Sequence, residues 1–72
     1  MILYFLDSRN NKRLVKKGIK SEEAFSTISQ YVNNINPAYK IHYIRTWYSE
    51  EDKGTIYDVG SHSEFFLLTD EK

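Results

Sequence analysis

The sequence predicts a small α+β domain in which a mostly antiparallel sheet carries one helix packed on one face. Three observations support this prediction. Four short segments are rich in large apolar, β-branched or aromatic residues and a fifth has the lysines of an edge strand, one segment has apolar residues at helical spacing, and polar stretches separate the segments. The element order is ββαβββ, and 72 residues are enough for a single domain over 1–72. A ubiquitin-like β-grasp has a similar order and is the alternative topology.

The first two strands are expected to form a hairpin. The opening MILYFLD is apolar without alternation, which is typical of a strand that is covered on both faces or central in its sheet. It has no basic leader and meets Asp7 after six residues, so we expect a buried strand rather than a signal sequence or a membrane span. The turn SRNN offers asparagines that tolerate positive φ, and the lysines of KRLVKKGI are a common protection of a sheet edge.

A helix is predicted from about 21 to 35. Ser21 is suited to the N-cap position, and Glu22 and Glu23 complement the positive end of the helix. Pro37 prevents the helix from continuing. The apolar stripe recurs every three or four residues and consists of Phe25, Ile28, Val32 and Ile35, with Ala24 and Tyr31 beside it.

The second half of the chain is predicted to hold three strands, YKIHYIRTWY, TIYDV and EFFLLT. The polar loop SEEDKG connects the first to the second, and GSHS connects the second to the third. We expect these strands to form a meander that completes the sheet beneath the helix.

The composition excludes some classes of protein. Without cysteine there can be neither a disulfide framework nor a thiolate metal site, which is typical of a reducing compartment, and we expect a cytoplasmic protein. The net charge is zero, but the charges are separated along the chain. Residues 1–20 carry six cations against one carboxylate, whereas residues 46–72 carry seven carboxylates against two lysines.

The segment DVGSHSEFF, residues 58–66, concentrates acids, hydroxyls and an imidazole, and therefore raises the question of catalysis. His62 is adjacent to Ser61 and Ser63, and neighbours in an extended chain point to opposite faces, which disfavours a Ser/His/Asp site. A metal site is disfavoured because the chain has two histidines and no cysteine. We predict no catalytic residue, no metal and no cofactor.

An anion-binding turn at Gly60 would be opposed by the flanking acids Asp58 and Glu64. The favoured interpretation is a structural turn after which the two phenylalanines return to the core. In this turn the acid and the hydroxyls bond the backbone and the glycine takes positive φ. The residues of this turn are Asp58, Gly60, Ser61, His62 and Ser63.

Eleven aromatic residues are more than one helix-covered face of a small sheet can bury. In a regular third strand, Tyr43, Arg45 and Trp47 share one face and Tyr48 lies on the other. Exposed Tyr, Trp and Arg are typical anchors of protein interfaces. The sequence therefore predicts binding of a protein partner, with a homodimer left open. The partner-binding residues are Tyr43, Arg45, Trp47 and Tyr48.

Nucleic acid is the alternative partner, because cations beside aromatic strands can contact phosphates while rings stack on bases. The zero net charge and the acidic second half disfavour it. The residues that would contact nucleic acid are Arg9, Lys12, Arg13, Lys16, Lys17 and Lys20.

The stretch IRTWYSEEDKGTIYDVGSHSEFFLL resembles the C-terminal part of small uncharacterised proteins encoded by phages and prophages of low-GC Gram-positive bacteria. The matching positions are Trp47, Asp58, Val59, Gly60, Ser61, His62, Phe65 and Phe66. This resemblance implies a small accessory protein that docks on host or phage machinery, for example as an inhibitor of host defence. We therefore predict a non-enzymatic protein-binding function. The alternatives are nucleic-acid binding and a surface hydrolase or metal site at His62.

Overall fold

One helix packs against a five-stranded antiparallel sheet, as the sequence predicts. The computed structural model describes residues 1–9, 11–38, 44–60 and 64–70. The strands are β1 (Ile2–Leu6), β2 (Lys12–Lys17), β3 (Arg45–Ser49), β4 (Gly54–Asp58) and β5 (Phe65–Thr69). A 3-10 turn, Ser21–Glu23, leads into the helix α1, Ala24–Ile35.

The strand order in the sheet is β2-β1-β5-β4-β3, and every neighbouring pair is antiparallel. The apolar strands β1 and β5 are therefore central, while β2 and β3 form the two edges. The alternative β-grasp topology is not adopted, because its first and last strands run parallel whereas β1 and β5 run antiparallel. The helix lies in the connection between the two edge strands.

The turn between β1 and β2 is organised by Asp7. Its Oδ1 accepts hydrogen bonds from the backbone N–H groups of Asn11 and Arg9, both at 2.9 Å. The bond from the Asn11 backbone is the main reason that the pKa of Asp7 lies below its usual value. An aspartate that folds back on its own turn therefore holds this hairpin, whereas the sequence had pointed to the asparagines.

The helix begins differently from the prediction. Lys20 rather than Ser21 occupies the N-cap position of the 3-10 turn, and its own side chain donates no capping bond; Glu23 occupies the N-cap position of α1. The Glu23 carboxylate instead accepts the Lys20 N–H at 2.8 Å, and the Glu23 N–H donates to the Lys20 carbonyl at 2.9 Å. Within the described ranges, no helix combines the length and apolar character needed to cross a bilayer.

The core lies between α1 and one face of the sheet. Leu3, Phe66 and Leu68 from the central strands contact the buried helix residues Ala24 and Ile28. Each of these five side chains is at most 2 % exposed, so this face excludes water.

Three rings extend the core towards one end of the helix. Phe5, Tyr31 and Phe66 lie with their centroids 5.2–5.7 Å apart, in tilted and edge-to-face arrangements that aromatic rings prefer. Two members of the predicted helix stripe do not join them. Phe25 is 52 % and Ile35 is 64 % exposed, because the buried side of the helix runs through Ala24, Ile28 and Tyr31.

The β3–β4 turn contains a residue with unusual backbone geometry. Lys53 has a φ of 57°, so a lysine rather than a glycine takes the left-handed conformation. The following Gly54 is required for space, because a Cβ there would clash with the Leu68 carbonyl oxygen and approach Thr69 Cγ2 to 2.9 Å. The polar turn is closed by Ser49, whose hydroxyl donates to the Asp52 carboxylate at 3.0 Å.

Candidate protein-binding surface

The sheet has a second face that α1 does not cover, and we call it the open face. Because side chains alternate along a strand, the residues next to Leu3, Phe66 and Leu68 point away from the helix. The strand registers extend this face over all five strands. The apolar residues of the open face are Ile2, Tyr4, Leu6, Leu14, Trp47, Ile56, Phe65 and Leu67, and Arg45 accompanies them.

One row of apolar residues crosses the whole open face, and we call it the cross-sheet row. Each member is the direct partner of the next in the neighbouring strand. In order across the sheet the row is Trp47, Ile56, Leu67, Tyr4 and Leu14. The middle of the row is buried, with Ile56 at 5 % and Leu67 at 0 % exposure. Its two ends are exposed, Trp47 by 39 % and Leu14 by 49 %.

Arg45 and Trp47 form the most structured part of the open face. The Arg45 guanidinium carbon lies 5.0 Å from the centroid of the Trp47 ring, a cation–π distance. The same guanidinium lies 3.5 Å from a carboxylate oxygen of Asp58. Phe65 meets the Trp47 ring edge to face at a centroid distance of 6.1 Å. Trp47 is therefore held between a cation and a second ring.

Asp58 also organises the start of the loop that follows β4. Its Oδ1 accepts the Gly60 N–H at 3.0 Å, and Gly60 has a φ of 94°. Both features are those of a structural turn. Ser61, His62 and Ser63 lie outside the described residues, so their assignment to this turn stays a prediction. Of the two phenylalanines that follow, Phe66 enters the core and Phe65 faces the open side.

The edge strand β2 presents a row of cations that we call the basic edge: Lys12, Arg13, Lys16 and Lys17. All four are exposed, and none forms an ion pair with a carboxylate of the described residues. Lys12 Nζ lies 4.8 Å from the centroid of the Tyr4 ring. The other two predicted nucleic-acid contacts are separate, with Arg9 in the β1–β2 turn and Lys20 just before the helix. The six cations therefore follow one long border of the molecule.

The structure brings only part of the predicted partner-binding set together. Arg45 and Trp47 share the open face, as the alternation predicted. Tyr48 points to the opposite side of β3 and is 63 % exposed. Tyr43 lies outside the described residues. A partner seated on the open face would therefore contact Arg45 and Trp47 but not Tyr48.

The sequence alone did not indicate Phe65, which meets the Trp47 ring, or Tyr4 and Leu14, which lie in the same cross-sheet row. The sequence feature that could have indicated them is the absence of alternation in two strands. β1 (ILYFL) and β5 (FFLLT) are apolar on both faces, which is typical of sheets that are covered on both sides. The neighbours of Trp47 on the open face depend on the strand order, and no local sequence pattern predicts that order.

A cleft of about 820 Å³ opens near the β1–β2 turn and the end of α1. Phe5, Val32 and Phe66 contribute apolar surface, and Arg9 and Glu64 contribute opposite charges. No group of three metal-binding side chains occurs in the part of the chain that the structure describes. Both histidines, His42 and His62, lie outside that part, so the hydrolase or metal site at His62 stays a prediction.

No protein-family model, curated protein or solved structure matches this chain. Its function is therefore inferred from the geometry and charge of the molecule itself.

Proposed function

We propose that this protein is a non-enzymatic accessory protein that binds another protein through the open face of its sheet. The resemblance of its C-terminal part extends the proposal to a protein of the phage type that modulates host or phage machinery. The single observation that carries the proposal is that the sheet has more apolar surface than the helix covers. Both central strands are apolar on both faces, and among the described elements the only helix that packs on the sheet covers one of them.

The exposed rim of the open face supports the same conclusion. Trp47 and Leu14 expose large apolar side chains at opposite edges of the sheet, while Tyr4 and Phe65 are partly exposed between them. Leaving these apolar side chains in water costs free energy that a partner would recover. Trp47 has the features of an interface anchor, since it is a rigid ring with an arginine at 5.0 Å.

Trp47 and Tyr48 provide a matched pair for the test, because they are adjacent aromatic residues on opposite faces of β3. A photo-reactive benzoylphenylalanine would replace each in turn, and the tagged proteins would be irradiated in bacterial lysate. We expect the position 47 variant to crosslink to protein and the position 48 variant to do so much less. A tagged Trp47→Ala protein should lose the captured species, whereas Tyr48→Ala should keep them.

Both alanine variants would first be checked for folding by circular dichroism and urea unfolding. If folded Trp47→Ala captures the same species in the same amounts as the wild type, the open face is not the binding surface. Equal crosslinking from positions 47 and 48 would lead to the same conclusion. Species captured in these assays include any further copies of the protein itself.

Nucleic-acid binding is the second candidate, favoured by the unpaired basic edge and by Lys12 over the Tyr4 ring. Phosphate contacts make affinity fall steeply with salt. We would measure binding to single- and double-stranded DNA and RNA at about 50 and 200 mM salt, for the wild type and for Lys16→Glu/Lys17→Glu. Binding that weakens at least about tenfold in both comparisons would support this candidate. No binding at the lower salt concentration would exclude it.

A further inference from the structure

We infer that a second copy of this chain covers the open face, in a two-fold symmetric dimer whose axis runs parallel to the strands. The inference rests on the proposed function, because it names the partner of the same surface. Two independent features of the described residues support it. One is the position of the charges at the corners of the sheet, and the other is the pattern of exposure along the cross-sheet row.

The strand registers place the two charged regions at the same end of the sheet. Lys17 pairs with Ile2, Ile2 with Thr69, Thr69 with Gly54, and Gly54 with Ser49. Lys17, on the open face, therefore forms one corner of the sheet, with Lys16 beside it on the helix side. The opposite corner at that end is the acidic turn, which we define as Glu50, Glu51 and Asp52.

These opposite charges do not neutralise each other within one chain. Five strands span four gaps of ~4.8 Å, so the two corners are roughly 19 Å apart. Charges at that distance are screened, because the Debye length in physiological salt is about 8 Å. The corner lysines, Glu50 and Glu51 form no ion pair within the described residues. Each corner is thus available to a charge on another molecule.

A two-fold axis parallel to the strands places each charged corner of one copy over the oppositely charged corner of the other copy. In such a face-to-face pair, β2 of one copy lies over β3 of the other, and both copies run in the same direction along the axis. The basic corner of each copy then faces the acidic turn of its partner, so the dimer has two equivalent corner contacts. A two-fold axis perpendicular to the strands would instead place the Lys17 end of β2 over the Lys12 end of the partner's β2, cation over cation, and would leave the acidic turn away from the basic edge. The charges therefore select one closed arrangement.

The cross-sheet row is complementary to itself under the same operation. Exposed Trp47 of one copy lies over exposed Leu14 of the other, Ile56 lies over Tyr4, and Leu67 lies over its own copy. Packed sheets are about 10 Å apart, so the exposed ends of the row would interdigitate across the interface, whereas Ile56 and Leu67 are already buried within each chain. The dimer would bury both exposed ends of the row, which the single chain leaves in water.

The mass in solution gives the first test. Sedimentation equilibrium over a concentration series should show twice the 8.6 kDa of one chain for the wild type. Trp47→Ala should raise the dimer dissociation constant at least about tenfold, as expected for an interface anchor. Tyr48→Ala, folded and on the other face, should leave it within about twofold. A wild type that stays monomeric at every concentration would overturn the inference.

Charge reversal tests the arrangement of the two copies. Lys16→Glu/Lys17→Glu and Glu50→Lys/Glu51→Lys should each weaken self-association, because every corner contact becomes repulsive. A mixture of the two variants should dimerise again, because both corner contacts are then attractive. If each variant dimerises as tightly as the wild type, the proposed arrangement is wrong.

A crosslinking experiment distinguishes the two possible axes directly. The chain has no cysteine, so Lys17→Cys and Ser49→Cys each carry one thiol at an end of the same row across the sheet. A short bismaleimide should link the two variants when they are mixed, and should link neither variant to itself. Self-linking of either variant alone would overturn the axis. A monomeric wild type that still captures other proteins through Trp47 would refute the dimer and leave the proposed function standing.

Discussion

The two faces of the sheet are both apolar, but they are packed to different degrees. Under the helix, Leu3, Phe66 and Leu68 are at most 2 % exposed. On the open face, complete burial is reached only in the middle of the cross-sheet row, and its ends Trp47 and Leu14 are exposed. A helix of 12 residues covers a strip about 18 Å long and 10 Å wide. Among the described elements, this one helix covers one face, and the ends of the cross-sheet row on the other face stay exposed.

The largest expected effect is a difference in the free energy of unfolding between alanine variants of two adjacent phenylalanines on β5, one on each face of the sheet. Phe66→Ala should lower the free energy of unfolding by about 3–5 kcal/mol, because it empties the core beside Phe5 and Tyr31. Phe65→Ala, on the open face, should cost about 1–2 kcal/mol, because its ring is already partly in water. Urea unfolding of both variants provides the measurement. Equal losses would mean that the open face is packed as tightly as the core.

A smaller effect is expected at Gly54, on the open-face side of β4. A methyl group there would clash with the Leu68 carbonyl oxygen, which is backbone and cannot move aside as a side chain could. Gly54→Ala should therefore destabilise the fold by about 1–3 kcal/mol. Ser49→Ala, in the directly paired residue of β3, serves as the control and should cost less than about 1 kcal/mol. A Gly54→Ala protein as stable as the control would show that β4 and β5 can separate at this point.

The smallest effect concerns Tyr57, which packs against the core on the helix side. Burial raises the pKa of its phenol above the usual value near 10. The folded state thus holds this proton more tightly than the unfolded state, so the associated stability is present below pH 10 and is lost as the pH rises through the folded pKa. Between pH 8 and pH 11, Tyr57→Phe should lose less unfolding free energy than the wild type. Equal losses would indicate that water reaches the phenol freely.

The element types of this fold were predictable because each depends on short-range chemistry. Apolar and aromatic runs indicated four strands and the lysine-rich KRLVKK indicated an edge strand, while Glu22, Glu23 and Pro37 marked the ends of the helix. The shared face of Trp47 and Arg45 was also predictable from alternation within a single strand. The start of the helix and its buried side were predicted less well. Ser21 lies inside the first turn, and Phe25 is exposed, because contact with the sheet selected a different side of the helix.

The sequence by itself determined which residues form strands, which form the helix and where the opposite charges lie along the chain. Only the tertiary structure decided that β2 and β3 are the two edges of the sheet, with β1 and β5 between them. That order places the basic edge opposite the acidic turn and aligns Trp47 with Leu14 in one row. The physical reason is the range of the interactions. Side-chain alternation and turn chemistry act over a few residues, whereas strand pairing joins distant residues and depends on which face the helix covers.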